Sequence, residues 1–127
     1  MRLLIDTQLL IWSAEGPERV SAAARDAISG ASFRAFSVAS LWEVAIKFAR
    51  GKPNFDLHPR DLRSGLVEND YVELPVLGHH ALGIADLPRL HGDPFDRLLL
   101  AQARAEGLTL LTADRALAAY GAPVHLA

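Results

Sequence analysis

The sequence predicts an α/β fold with a central parallel sheet and helices on both of its faces. Short apolar runs such as Leu3–Ile5, Ala35–Ser37 and Leu108–Leu111 have strand length. Between them lie longer stretches whose apolar residues recur at the three-and-four spacing of a helix. Glycine or proline marks most of the boundaries. Strands that alternate with helices pair in parallel, and each crossover helix covers one face of the sheet.

In chain order, Leu3–Ile5 forms the first strand and ends at Asp6. Leu9, Leu10 and Trp12 continue as a short helix stopped near Gly16-Pro17. Ser21–Ile28 is a helix rich in alanine, closed by Gly30. Ala35–Ser37 is the second strand. Val38–Arg50 is a strongly amphipathic helix ended by Gly51 and Pro53. Pro59–Glu68 is another helix, Tyr71–Leu74 a strand before Pro75, and Gly78–Ala85 a short helix before Pro88. Pro94–Glu106 is the clearest helix, with proline at its first position and Gly107 at its end. Leu108–Leu111 is a buried strand, Asp114 opens a last helix to Tyr120, and Val124-His125 closes the chain as a short strand.

The 127 residues suit one domain, 1–127, with a sizeable core. The absence of cysteine removes disulfides and thiolate metal sites and fits a reducing cytoplasm. No segment reaches the ~18 apolar residues of a membrane span, and the amino terminus lacks the layout of a signal peptide. The formal net charge is -2. A protein that grips nucleic acid through its backbone charge is usually basic, so the positions of the acidic residues matter.

In parallel sheets, ligands bind beyond the carboxyl ends of the strands. Asp6 follows the first strand, and Asp114 follows Leu108–Leu111. Asp96 lies in the first turn of the helix preceding that strand. Glu43 sits inside its helix, on a face shared with Ala39, Ile46 and Lys47. Four carboxylates converging on one sheet edge repel one another, and their pKa values rise unless a cation neutralises them. Oxygen-only ligation suits Mg²⁺ or Mn²⁺. Such an ion activates water and stabilises charge on a phosphodiester, so the pattern points to phosphoryl-group hydrolysis.

Local capping competes with this reading at each position. Asp6 and Asp114 are each placed to cap the helix that follows. Asp93 reads as an N-cap, with Pro94 at the first helical position and Asp96 favoured by the helix dipole. Ser40 and Glu43 match a capping box, although Ser37 is an equally good cap and would set Glu43 well inside the helix. His91 is either a loop histidine or a contact to substrate or ligand, and His79-His80 reads as an exposed pair opening a helix. Thr7 and Thr112 flank two of the acids, and their hydroxyls can hold those carboxylates or make ordinary turn bonds. Lys47, Arg50 and Lys52 form a basic run, either a dipole complement or an RNA-backbone contact. Arg97 and Arg115 pair locally or meet phosphate. Trp12 and Trp42 read as core or interface residues.

Together these residues resemble the PIN-domain family, and within it the VapC-like toxins of bacterial toxin–antitoxin pairs. Leu3–Thr7 looks like the opening strand and first acid, Ser37–Lys47 like the second acidic motif, His91–Leu99 like the third, and Leu111–Asp114 like the fourth. The similarity spans essentially the whole chain. It implies a three-layer α/β/α fold and Mg²⁺- or Mn²⁺-dependent endoribonuclease activity. Asp6, Glu43, Asp96 and Asp114 would be the acidic quartet, with Asp6, Asp96 and Asp114 on the metal. Thr7, Thr112, Asp93, His91 and Arg97 would support them. The resemblance also implies a homodimer, neutralised by a small VapB-like antitoxin that covers the active-site groove. Operator DNA would be contacted only through the antitoxin. Gln8 departs from the asparagine or histidine more usual after Asp-Thr in the family.

On this reading Glu43 completes the site, as a ligand or as the group that orients or deprotonates the attacking water. Three rivals stand beside it. A stand-alone RNA-processing nuclease would share the site without the antitoxin. A phosphatase of the haloacid-dehalogenase type needs Asp-x-Asp after the first strand, and position 8 is Gln. A non-catalytic binding module would use the acids as caps, which four acids in family order disfavour.

Overall fold

The computed structural model describes residues Met1–Ala127. Its elements run β1 (Arg2–Ile5), α1 (Thr7–Glu15), α2 (Ala22–Ser29), β2 (Phe33–Ser37), α3 (Val38–Ala49), α4 (Pro59–Glu68), β3 (Val72–Leu74), α5 (Gly78–Gly83), α6 (Pro94–Glu106), β4 (Thr109–Thr112), α7 (Arg115–Ala118) and β5 (Val124–Leu126). The strands form one sheet in the order β3-β2-β1-β4-β5, and every neighbouring pair is parallel. The chain order reverses at β1, between β2 and β4. A crevice opens at such a reversal, because the flanking crossovers leave in opposite directions.

Strand alternation sorts the core into two layers. Leu3 and Ile5 of β1, Phe36 of β2 and Leu111 of β4 face one side, with Leu9 and Leu10 of α1 and Leu62 and Leu66 of α4. Leu4, Ala35 and Leu110 face the other, against Leu99, Leu100 and Ala103 of α6 and Leu117 of α7. Successive strand residues point to opposite faces, so three adjacent apolar residues in a fully covered strand serve both layers. This is the expected three-layer α/β/α arrangement.

The helix boundaries follow local chemistry. The side chains of Ser21, Ser37, Asp93 and Asp114 each accept a backbone N–H from the first turn they precede. Gly107 ends α6 at φ 66°, a left-handed conformation that suits glycine. The predicted helix Gly78–Ala85 ends at Gly83 and tightens into a 3₁₀ turn over Ile84–Asp86. Ser37, not Ser40, caps α3. Its hydroxyl accepts from Ala39 N–H at 3.0 Å and donates to the buried Gln102 Oε1 at 2.6 Å. The Gln102 amide then donates to the Pro75 carbonyl at 3.2 Å, tying α6 to the segment after β3.

The expectation of an exposed His79-His80 pair is corrected at His80. This residue is fully buried. Its Nδ1 accepts the Leu77 N–H at 3.0 Å, and its Nε2 lies 2.8 Å from Glu106 Oε2. The packing of α5 on α6 turns this ring inward, while His79 stays exposed. No helix is long and apolar enough to cross a membrane.

Candidate active site at the carboxyl edge of the sheet

Asp6 begins where β1 ends. Its N–H continues the sheet ladder by donating to the Leu111 carbonyl at 3.0 Å. Its side chain is nearly inaccessible, at 3 % exposure. One carboxylate oxygen accepts the Leu9 N–H at 2.9 Å, capping α1, and the other accepts the hydroxyl of Thr112 at the end of β4. The carboxyl is nevertheless raised from 3.8 to about 6. Burial is the largest cause, the two hydrogen bonds oppose it, and repulsion from Asp114 and Glu43 adds to it.

Asp96 enters from the first turn of α6. Asp93 caps that helix with one oxygen, accepting from Phe95 N–H at 2.8 Å and more weakly from Asp96 N–H. Asp96 is raised from 3.8 to about 7. Burial dominates, followed by repulsion from Asp93 and Asp6, and His91 partly offsets both. Asp114 behaves oppositely. Its carboxyl is held below the usual range, chiefly by the His91 hydrogen bond; burial opposes this, and the Ala116 N–H and the charge of His91 add to the lowering.

Glu43 reaches the cleft from the middle of α3, as capping by Ser37 requires. Its Oε2 lies 3.3 Å from Lys47 Nζ, one helical turn on. Its Oε1 is buried and has no hydrogen-bond partner. An unpaired carboxylate oxygen is costly to bury, and one facing other acids is more so.

Asp6, Glu43, Asp93, Asp96 and Asp114 line one cleft of about 300 Å³, with Lys47 as its cation. His91 closes this group. Its Nε2 stands 2.9 Å from Asp114 Oδ2 and 3.5 Å from Asp96 Oδ2. Its Nδ1 accepts the Asp93 N–H at 3.0 Å, so in the neutral ring the proton sits on Nε2 and is donated to the acids. His91 therefore joins the cluster as a donor rather than as a lone-pair ligand. The Tyr120 hydroxyl fixes the loop by donating to the Pro88 carbonyl at 2.9 Å and accepting the His91 N–H at 3.1 Å.

The structure thus brings together all four predicted acids, along with Asp93, His91 and Thr112. Thr112 bridges the site by holding Asp6 and accepting the Asp114 N–H at 3.0 Å. Thr7 lines the cleft, but its hydroxyl pairs with Ser40 at 2.8 Å rather than with an acid. Arg97 is not brought to the acids. It turns away, donating to the carbonyls of Ile84 at 3.4 Å and Leu87 at 3.2 Å, because its helix position faces the 3₁₀ turn. Arg115 is exposed and makes no ion pair. Trp12 packs at the edge of the core, while Trp42 is exposed against Phe95, ring centres 5.0 Å apart. Lys47, which the sequence sets on the helix face of Glu43, forms part of the cleft wall.

Asp6, Asp96, Asp114 and Glu43 could hold a hard divalent cation. Their all-oxygen donor set fits one, two of the acids have raised pKa values, and the orphaned Glu43 oxygen lacks the partner a cation would supply. A second convergence, His79, His80 and Glu106, does not fit one. His80 Nδ1 is taken by Leu77 N–H, so Nε2 carries the proton and offers no lone pair.

The fold has counterparts among known proteins. No curated protein sequence matches the chain. Among solved structures, a toxin–antitoxin complex from Klebsiella pneumoniae is similar with a TM-score of 0.68 at 19% identity, over 97% of this chain and 95% of that one. VapBC2 from Rickettsia felis, bound to a DNA fragment from its promoter, has a TM-score of 0.72 at 15% identity, over 100% and 98%. DNA-bound VapBC from Salmonella typhimurium has 0.69 at 15%, over 100% and 97%. At these identities the likeness is one of fold. The PIN-domain family model matches residues 3–123, nearly the entire sequence, and the chain therefore belongs to the PIN-domain family.

Proposed function

We propose that this protein is a metal-dependent endoribonuclease that uses Mg²⁺ or Mn²⁺. In this reading residues 1–127 form one PIN domain, and the PIN family is a family of nucleases. The observation that carries the reading is the crowded acidic cleft, with two carboxyls raised to about 6 and about 7 and a buried Glu43 oxygen left without a partner. Asp6, Asp96 and Asp114 would hold the cation, with Glu43 completing the set. When bound, the cation supplies charge neutralisation, activation of water and stabilisation of the developing phosphorane charge.

The chain's own residues set up the rest. Thr112 and the Leu9 N–H fix the rotamer of Asp6, and the Asp93 cap fixes the start of α6 and hence Asp96. His91 holds Asp114 toward the cleft. Glu43 Oε1 has no protein partner and so is open to the cation or, in its place, to the proton of the attacking water, while Lys47 holds Oε2 in place.

The protein acts in the cytoplasm as the toxin of a toxin–antitoxin pair. It is a homodimer neutralised by a VapB-like antitoxin, which alone contacts operator DNA. The VapBC complexes with the same fold support this assignment. The test is cleavage of total cellular RNA by purified, antitoxin-free protein in Mg²⁺, Mn²⁺ or EDTA, with Asp96→Asn as control. Discrete fragments that require metal and vanish in the control are expected. Fragments that persist in the control would refute the site.

A further inference from the structure

A second cavity, of about 410 Å³, adjoins the acidic cleft, and Gln8, Trp12 and Lys47 line both. Its charge is opposite. Arg19, Lys47, Arg50 and Lys52 line it, and of these only Lys47 is in an ion pair, with Glu43. Its two acids, Glu15 and Glu18, are outnumbered by the four cations, and the Glu18 carboxylate lies beside Gly16. Three cations therefore stand without protein partners in a chain whose net charge is -2. Two aromatic rings, Trp12 and Phe55, and two carboxamides, Gln8 and Asn54, complete the lining.

Unpaired cations beside half-buried aromatic rings at the rim of a cavity suit an unpaired nucleotide, whose phosphate takes the charge and whose base stacks. Resting on the ribonuclease reading above, we propose that this cavity binds the nucleotide flanking the scissile phosphate of a single-stranded RNA. Arg19, Arg50 and Lys52 hold its phosphate, and its base lies on Trp12 and Phe55. Gln8 and Asn54 present the donor–acceptor pairs that read the base edge. The strand then crosses from the basic cavity into the acidic cleft over Lys47, and an acidic protein still collects an anionic substrate. Gln8, where the family more usually has asparagine or histidine, becomes a specificity-determining residue.

The test uses Trp42→Phe protein, in which Trp12 is the sole tryptophan. In EDTA, titration with a mixed-sequence ribohexanucleotide should quench Trp12 fluorescence saturably. Arg50→Ala combined with Lys52→Ala, both at exposed positions, should weaken binding about tenfold. It should also lower the log–log salt slope by up to about 0.7, the value for one phosphate no longer neutralised. Gln8→Ala should change the order of affinity among the four ribohomohexamers. Unchanged affinity and salt slope in the double variant would overturn the subsite, and so would RNA binding without quenching. Hexaglutamate bound in place of RNA would reassign the cavity to a protein partner and also overturn it. Metal-dependent cleavage of total RNA separates the two readings. If the parent cleaves and the double variant cleaves with the same KM, only the subsite fails. If the parent neither binds nor cleaves RNA, the nuclease reading fails with it.

Discussion

Two histidine–carboxylate clusters occupy this small protein, and they differ in one respect that matters. Around His80, a ring with Nδ1 bonded to a backbone N–H meets one carboxylate, Glu106, and no buried polar atom lacks a partner. Around His91, a ring held the same way meets the corner of five acids, and one buried oxygen has no partner. The pKa shifts follow. Glu106 is held below its usual range by its two histidines, whereas Asp6 and Asp96 are pushed above theirs by burial and by one another. Convergence of ligand-type side chains is therefore a weak signal. Convergence that leaves charge uncompensated is a strong one, because the fold retains it at a cost in stability.

The largest expected effect separates the clusters by activity. Asp6→Asn or Asp96→Asn should lower RNA cleavage by about 10²-fold or more, while Glu106→Gln leaves it unchanged. Comparable losses in both, with circular dichroism intact, would dissolve the distinction. The next effect is in stability. His80→Ala should cost about 2–4 kcal/mol in urea unfolding, since it empties a buried site and strands the Leu77 N–H. In contrast, Asp96→Asn should raise the melting temperature of the metal-free protein by a few degrees, roughly 1–2 kcal/mol after screening. A fall would show that its neighbours do not crowd it.

Acid should act on the two clusters with opposite sign. Asp6 and Asp96 have folded pKa values of about 6 and about 7 against 3.8. The folded state thus binds more protons between those limits, and stability falls as pH rises from about 4 to 7 and then levels. Glu106 is shifted downward, so its contribution is present above 4.5 and is lost as pH falls through its folded value. Scanning calorimetry across this range in EDTA should show the falling limb in the wild type and a flatter one in Asp96→Asn. Adding Mg²⁺ should remove the limb, since binding to the folded state alone adds about 2.7 kcal/mol at a hundredfold excess over Kd. The smallest effect is expected at Asp93→Ala, about 1 kcal/mol from the lost cap, with activity falling further than stability because α6 carries Asp96.

Much of this site was legible because its parts are local. Asp6 follows an apolar run by one residue, and Asp93-Pro94 with Asp96 at the third helical position is a cap visible in four residues. What stayed illegible involves partners across the fold. His91 read more readily as an idle loop residue than as a contact to substrate or ligand, since nothing near it in sequence reveals that Asp114 lies 2.9 Å away. Arg97 stands beside Asp96 in the chain, yet its helix position aims it at the Ile84 and Leu87 carbonyls.

Periodicity, caps and breakers act within one or two helical turns, so the residue order of this chain was enough to specify its helices, its strands and the carboxyl edge where the acids gather. Which strands become neighbours is a matter of packing two apolar layers against a twisted sheet, and no local pattern encodes it. That packing set β4 beside β1 and so joined Thr112 to Asp6 across 106 positions. It also buried His80, left a Glu43 oxygen unpaired, and opened a cavity with three unpaired cations next to the acids.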